Sequence, residues 1–134
     1  MKSSFDYHCK FCGKPGTVEY DEPPPGMFNV EKYKQYIACD SCADYERSRR
    51  DLAELICRLA TVLIQCRQSL VTDEAKEKGV RERLIVATKR FAKVVCDFCH
   101  RPFSWEPDIV DSIMQQPANA GTILNGYIRA IKRA

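Results

Sequence analysis

From residue 52 onward one apolar stripe governs what the chain can become. Leu52, Ile56, Leu59, Leu63, Cys66 and Leu70 are spaced by 4, 3, 4, 3 and 4 residues. That is one helical face sustained over more than two heptads. Leu55, Val62 and Ile64 widen it, as a packed core requires. This gives Cys66, and Cys57 beside the stripe, the ordinary job of small core residues. A second stripe, Val80, Leu84, Ala87, Phe91, Val94 and Phe98, repeats the same spacing. Between them SLVTDEAKEKG breaks the pattern. Thr72 is read as the N-cap, with Asp73 and Glu74 in the first turn, where the helix dipole favours carboxylates. Gly79 softens the start of the second helix. So short a connection permits only an antiparallel helical hairpin. The first helix is about 28 residues, or about 42 Å, long. The end of the second is therefore expected to return beside the start of the first.

Six of the eight cysteines form three Cys-x-x-Cys pairs, Cys9/Cys12, Cys39/Cys42 and Cys96/Cys99. Two residues between cysteines let both thiolates reach one metal ion, and two such pairs complete a tetrahedron. Gly13 follows the first pair, where a knuckle turn needs a permissive backbone. Thr17 to Tyr20 reads as a short strand, DEPPPGMFNVEK as a loop, and Tyr33 to Ala38 as a second strand. Cys39 and Cys42 then open the helical pattern, where the positive end of the dipole favours thiolates. This order resembles the treble-clef class of zinc fingers over roughly residues 8 to 60. The resemblance implies one structural zinc held by Cys9, Cys12, Cys39 and Cys42, tying a β-hairpin to the helix. A catalytic zinc keeps an open position, and four cysteines close the site.

The third pair lies in CDFCH, residues 96 to 100. Covalent haem attachment would need export, and no secretory signal precedes it. A redox dithiol favours a helix N-terminus, and this pair ends a helix. A metal role for Cys96 and Cys99 would draw on His8, His100, another cysteine pair or a second chain. Three pairs and two histidines supply enough ligands for a second zinc. The other reading is a pair of thiols packed at the helix end.

The formal net charge is +3, and the excess lies in the helical segments. Arg47, Arg49 and Arg50 on the first helix, and Lys89, Arg90 and Lys93 on the second, are candidate phosphate contacts. Downstream, Ile109, Val110 and Ile113 form a short helical face that Pro117 ends. Leu124, Tyr127, Ile128 and Ile131 form another. Phe103 and Trp105 are read as core plugs rather than exposed stacking groups. No stretch is long and apolar enough to span a bilayer, so no membrane association is expected. Eight cysteines without a signal point to a cytoplasmic or nuclear-type reducing compartment.

The expected fold is mainly α with a small β-hairpin zinc module. Residues 1–45 would form the zinc module, 46–101 the antiparallel hairpin and 102–134 a C-terminal helical segment packed on it. No nucleophile–base constellation or phosphate-cradling loop is visible, so the chain is read as a non-enzyme. The first reading is a nucleic-acid-binding accessory or regulatory factor, monomeric or homodimeric. The second is an adaptor or inhibitor that grips a larger protein, such as a phage or defence-related nucleic-acid enzyme. A thiol redox protein centred on Cys96 and Cys99 comes third.

Overall fold

The computed structural model describes residues 2–21, 30–69 and 73–133. The chain divides into two compact units, Met1–Glu46 and Arg47–Ala134. In the first, β1 (Lys2–His8) pairs antiparallel with β2 (Pro15–Asp21), from Lys2 opposite Asp21 to His8 opposite Pro15. Thr17 Oγ1 donates to Asp6 Oδ1 across that register at 2.8 Å. The first cysteine pair occupies the turn. Phe5 is buried, with Tyr20 at 5.6 Å and Tyr33 edge-on at 6.2 Å between ring centroids. Tyr33 belongs to α1 (Val30–Lys34), so these rings fasten that helix to the hairpin.

Two expectations change here. Tyr33 to Ala38 is not a strand. It is the end of α1 and a turn, in which Tyr36 N donates to Tyr33 O at 3.0 Å. Tyr33 and Tyr36 are three residues apart, a helical spacing, and the Glu31–Lys34 pair at 3.2 Å reinforces it. The hairpin's other strand instead precedes the knuckle. In KSSFDYH, Phe5 is buried and Ser3 and Tyr7 are half-buried, while Ser4, Asp6 and His8 face solvent, the alternation of a half-buried strand. The proline-rich stretch expected as a loop lies largely outside the described residues.

The second unit is helical. It contains most of α2 (Asp40–Gln68), then α3 (Glu74–Phe98), α4 (Asp108–Gln115) and α5 (Ala120–Arg133), with a 3-10 turn at Pro117–Asn119. The two long helices pack together and run antiparallel. Leu52 shares a cleft with Val94, Leu59 one with Ala87, and Cys66 one with Asp73 and Lys76. Arg67 Nε meets Glu77 at 2.8 Å near their junction. The expected stripes form the core: Ile56, Leu59 and Leu63 from α2, and Val80, Leu84, Ala87 and Phe91 from α3. Leu70 and Thr72 lie outside the described residues. The α3 cap is Asp73, whose carboxylate accepts from Lys76 N at 3.0 Å.

A second face of α3 is also buried, by Thr88, Ala92, Val95 and Cys96, and α4 and α5 pack on this helix. Thr88 is the one buried polar residue among those described. Its hydroxyl donates to Leu84 O at 2.7 Å and accepts from Trp105 Nε1 at 3.0 Å. Arg81 reaches Asp111 of α4 at 2.8 Å, and Arg67 Nη1 donates to Met114 O at 2.5 Å. Ile109, Val110 and Ile113 of α4, and Leu124, Ile128 and Ile131 of α5, are buried as their spacing requires.

CDFCH is where α3 stops. Cys99 is the C-cap, and His100 has a left-handed backbone, φ 54°. Arg101 N donates to Cys96 O at 2.9 Å, and His100 N donates to Asp97 O at 3.2 Å. Those two bonds define a Schellman motif, with histidine where glycine is usual. A Cβ in the left-handed region costs about 1–2 kcal/mol. His100→Gly should therefore raise stability by about 1 kcal/mol in thermal or urea unfolding. It should leave metal content unchanged; a loss of bound metal would make His100 a ligand.

Candidate metal centre

The knuckle between β1 and β2 is built by its backbone. Cys9 N donates to Lys14 O and Gly13 N to Cys9 O, both at 2.9 Å. Gly13 sits at φ 74°, the left-handed region that its place after the pair anticipated. Phe11 N points at Cys9 Sγ, 3.4 Å away. Lys10 N donates to Ile37 O at 2.9 Å, tying the knuckle to the segment that leads into α2. Cys39 immediately precedes α2, Cys42 stands in its first turn, and Ala43 N donates to Cys39 O at 2.9 Å.

These elements bring Cys9, Cys12, Cys39 and Cys42 together, with all four sulfurs within 4.8 Å of one another. Cys12 and Cys39 are 3.8 Å apart at sulfur. A tetrahedron with metal–sulfur bonds of about 2.3 Å has edges of about 3.8 Å. Two of the thiols, Cys9 and Cys42, are buried. The donor set and its dimensions therefore fit one metal ion with no position left for a substrate. An ion held there would join the hairpin turn to the first turn of α2.

Local electrostatics distinguish the four thiols. Burial pushes Cys9 up, but backbone N–H groups of Cys12, Cys39 and Phe11 and the Cys12 thiol outweigh it, bringing Cys9 down to about 6. Cys42 is raised well above the ordinary thiol range. Burial comes first, then its hydrogen bonds with Cys39, Cys9 and Cys12, then the negative charge of Cys12. Four thiolates cannot share so small a volume without a cation.

The other candidate residues lie elsewhere. Among the described residues, no cluster of three or more metal-ligating groups includes His8, Cys96, Cys99 or His100. His8 donates from Nδ1 to Gly13 O at 3.2 Å. Cys96 is buried in the helical unit, its Sγ 4.0 Å from Ser104 O, and Cys99 is half-buried. On α2, Arg47 and Arg50 are exposed and Arg49 is half-buried. On α3, Lys89, Arg90 and Lys93 are exposed. Lys89 Nζ lies 4.7 Å from the Trp105 ring centroid, and Lys93 pairs with Asp97 at 3.2 Å.

Phe103 corrects an expectation. Trp105 is half-buried and anchored to Thr88, but Phe103 is 52% exposed. The indole N–H finds a buried partner, whereas Pro102 and the cap at His100 precede Phe103 on an exposed stretch. Comparison with protein-family models, curated proteins and solved structures finds no match to this chain.

The first unit buries few side chains. Among its described residues only Phe5, Cys9 and Cys42 are fully inside. A unit of that size ordinarily needs a metal or disulfides to fold. Chelation should therefore abolish the hairpin's near-ultraviolet dichroism and amide protection while α3 to α5 keep theirs. Cys42→Ser should do the same. Gly13→Ala should weaken metal binding about 5- to 30-fold, matching about 1–2 kcal/mol of left-handed strain. Metal uptake should release protons, because Cys42 holds its own without an ion. Affinity should fall with falling pH, because the Cys42 proton must be displaced, and fall more steeply below about 6, where Cys9 also becomes protonated. A pH-indicator titration with zinc measures both effects.

Proposed function

We propose that the four thiols hold one structural zinc in a treble-clef-like module, and that the helical unit serves a nucleic-acid-binding accessory or regulatory factor. The observation that carries the zinc reading is the four-sulfur cluster, with one pair already at a tetrahedral edge length. A hairpin whose turn holds the first pair and a helix whose first turn holds the second support this reading, with α1 and a turn standing where the second strand was expected. Iron is the other metal that four thiolates take readily. Free thiol pairs persist as ligands in a reducing compartment, which suits a cytoplasmic setting.

Support for the nucleic-acid reading comes from α3. Lys89, Arg90 and Lys93 stand within one helical turn and all are exposed. Arg47 and Arg50 add exposed positive charge on α2. Cations arranged so closely suit the phosphate spacing of a polynucleotide better than isolated carboxylates.

Elemental analysis tests the metal assignment. One zinc per chain is expected, unchanged in the Cys96→Ser/Cys99→Ser double variant. Iron, with visible thiolate-to-metal absorption, would overturn zinc. A second zinc lost in the double variant would give the third pair a metal role. For nucleic acid, log affinity for a labelled oligonucleotide should fall against log salt concentration. Three phosphate contacts to a single strand correspond to a slope of about −2. Absence of salt-sensitive binding to DNA and RNA would overturn this reading and leave a protein partner as the alternative.

A further inference from the structure

A cleft of about 530 Å³ lies between α2 and α3, lined by Ser48, Asp51, Leu52, Lys89, Arg90, Lys93, Val94 and Phe103. Its surface is predominantly apolar, with Leu52, Val94 and Phe103 among its lining, and Lys89, Arg90 and Lys93 line it too. The combination is specific. An apolar floor by itself would suit any hydrophobic side chain, and three cations by themselves any polyanion. Together they match a ligand that is flat and apolar in one part and anionic in the next.

We propose that this cleft binds single-stranded nucleic acid, with an unpaired base stacked on Phe103 and its flanking phosphates on Lys89, Arg90 and Lys93. The assignment rests on the nucleic-acid reading above and gives it a site and a substrate class. Phe103 is 52% exposed, so a ring face is accessible without rearranging the core. In a duplex both faces of each base are already stacked, whereas single strands offer them to aromatic side chains.

The cations are arranged to accept phosphates at little cost. Lys93 is held by Asp97, but both side chains are about three-fifths exposed, 61% and 59%. Such pairs contribute little and exchange readily. Arg90 has no ion-pair partner among the described residues, leaving its planar guanidinium for bidentate contact. Lys89 is positioned by the Trp105 ring beneath its ammonium. Asp51 shares the lining and opposes the anion electrostatically. Its carboxylate is an acceptor for an exocyclic amine, the pairing acidic side chains make with cytosine.

The test uses the full-length, metal-loaded chain and fluorescence anisotropy with a labelled single strand in DNA and RNA forms, the matching duplex, and base-free polyphosphate. Single strands should bind more tightly than the duplex or polyphosphate. Phe103→Ala should weaken single-strand binding about 5- to 150-fold, the range for loss of one stacked base. Binding to the duplex should hardly change, and Phe103→Trp should retain single-strand affinity. The sole tryptophan, Trp105, should change its emission on titration with unlabelled single strand, because Lys89 links it to the cleft. A thermal melt of Phe103→Ala should match the parent, since the ring is exposed. If every oligonucleotide binds with salt dependence but Phe103→Ala binds single strands as the parent does, the cleft assignment is overturned and the broader reading survives. Equal affinity for polyphosphate and single strands would also overturn it. If no oligonucleotide binds, both fall together.

Discussion

The burial of α3 on two adjacent faces is the constraint on which the helical unit depends. One face carries Val80, Leu84, Ala87 and Phe91, and the other Thr88, Ala92, Val95 and Cys96. From the first set Ala87 shares a cleft with Leu59 of α2, and from the second Thr88 and Cys96 meet Trp105 and Ser104 on the segment that leads into α4. A helix enclosed in this way has one strip left for solvent. Glu82, Val86, Lys89, Arg90, Lys93 and Asp97 occupy it. The cluster of cations on α3 thus follows from the packing: charges cannot be buried on the other faces without heavy desolvation cost. Thr88 is the instructive exception. Its hydroxyl is tolerated inside because one bond returns to Leu84 and another comes from Trp105.

The first unit follows a different rule. Its strand register is good, and Phe5 gathers Tyr20 and Tyr33 around it, but that cluster is a small core. Among its described residues, two of the three buried side chains are cysteines of the cluster. Backbone N–H groups aimed at Cys9 lower the cost of its thiolate, while Cys42 is driven the other way by burial and by its neighbours' sulfur. A cation resolves that opposition, neutralising the group that burial penalises and the groups that crowd it. Folding energy and metal affinity are then the same quantity, because the sulfurs do not converge in an unfolded chain.

The helical hairpin was legible because its signal is long. A 4-3 spacing held over six positions leaves little room for another structure. The four-thiol cluster was legible for the opposite reason: two short pairs carry a chemistry few other arrangements share. Between them lay weaker signals. KSSFDYH alternates over only seven residues, and YKQYIA mixes aromatic β-formers with a helical spacing. Side-chain propensity favoured the strand, and the contact of Tyr33 with Phe5 settled the helix. CDFCH drew attention as a set of ligands. Its visible structural work is done by the backbone, through carbonyls that no residue-type pattern exposes.

That backbone also explains Phe103. A helix ending in a left-handed residue reverses the chain instead of letting it drift onward. After His100 and Pro102 the polypeptide runs back along α3, so that Ser104 O comes to Cys96 and Trp105 comes to Thr88, a residue 17 positions earlier. Trp105 is drawn half-buried against α3 because its N–H meets the Thr88 hydroxyl. Phe103, two residues before it, is left at the surface beside Leu52 and Val94. Tyr127 holds the same segment from α5, its hydroxyl donating to Ser104 O at 3.1 Å while burial raises its pKa and keeps that proton on. The exposed ring is therefore held in place by a cap at one side and two hydrogen-bonded aromatics at the other. Preorganisation of this kind lowers the entropy lost when a flat ligand stacks on it.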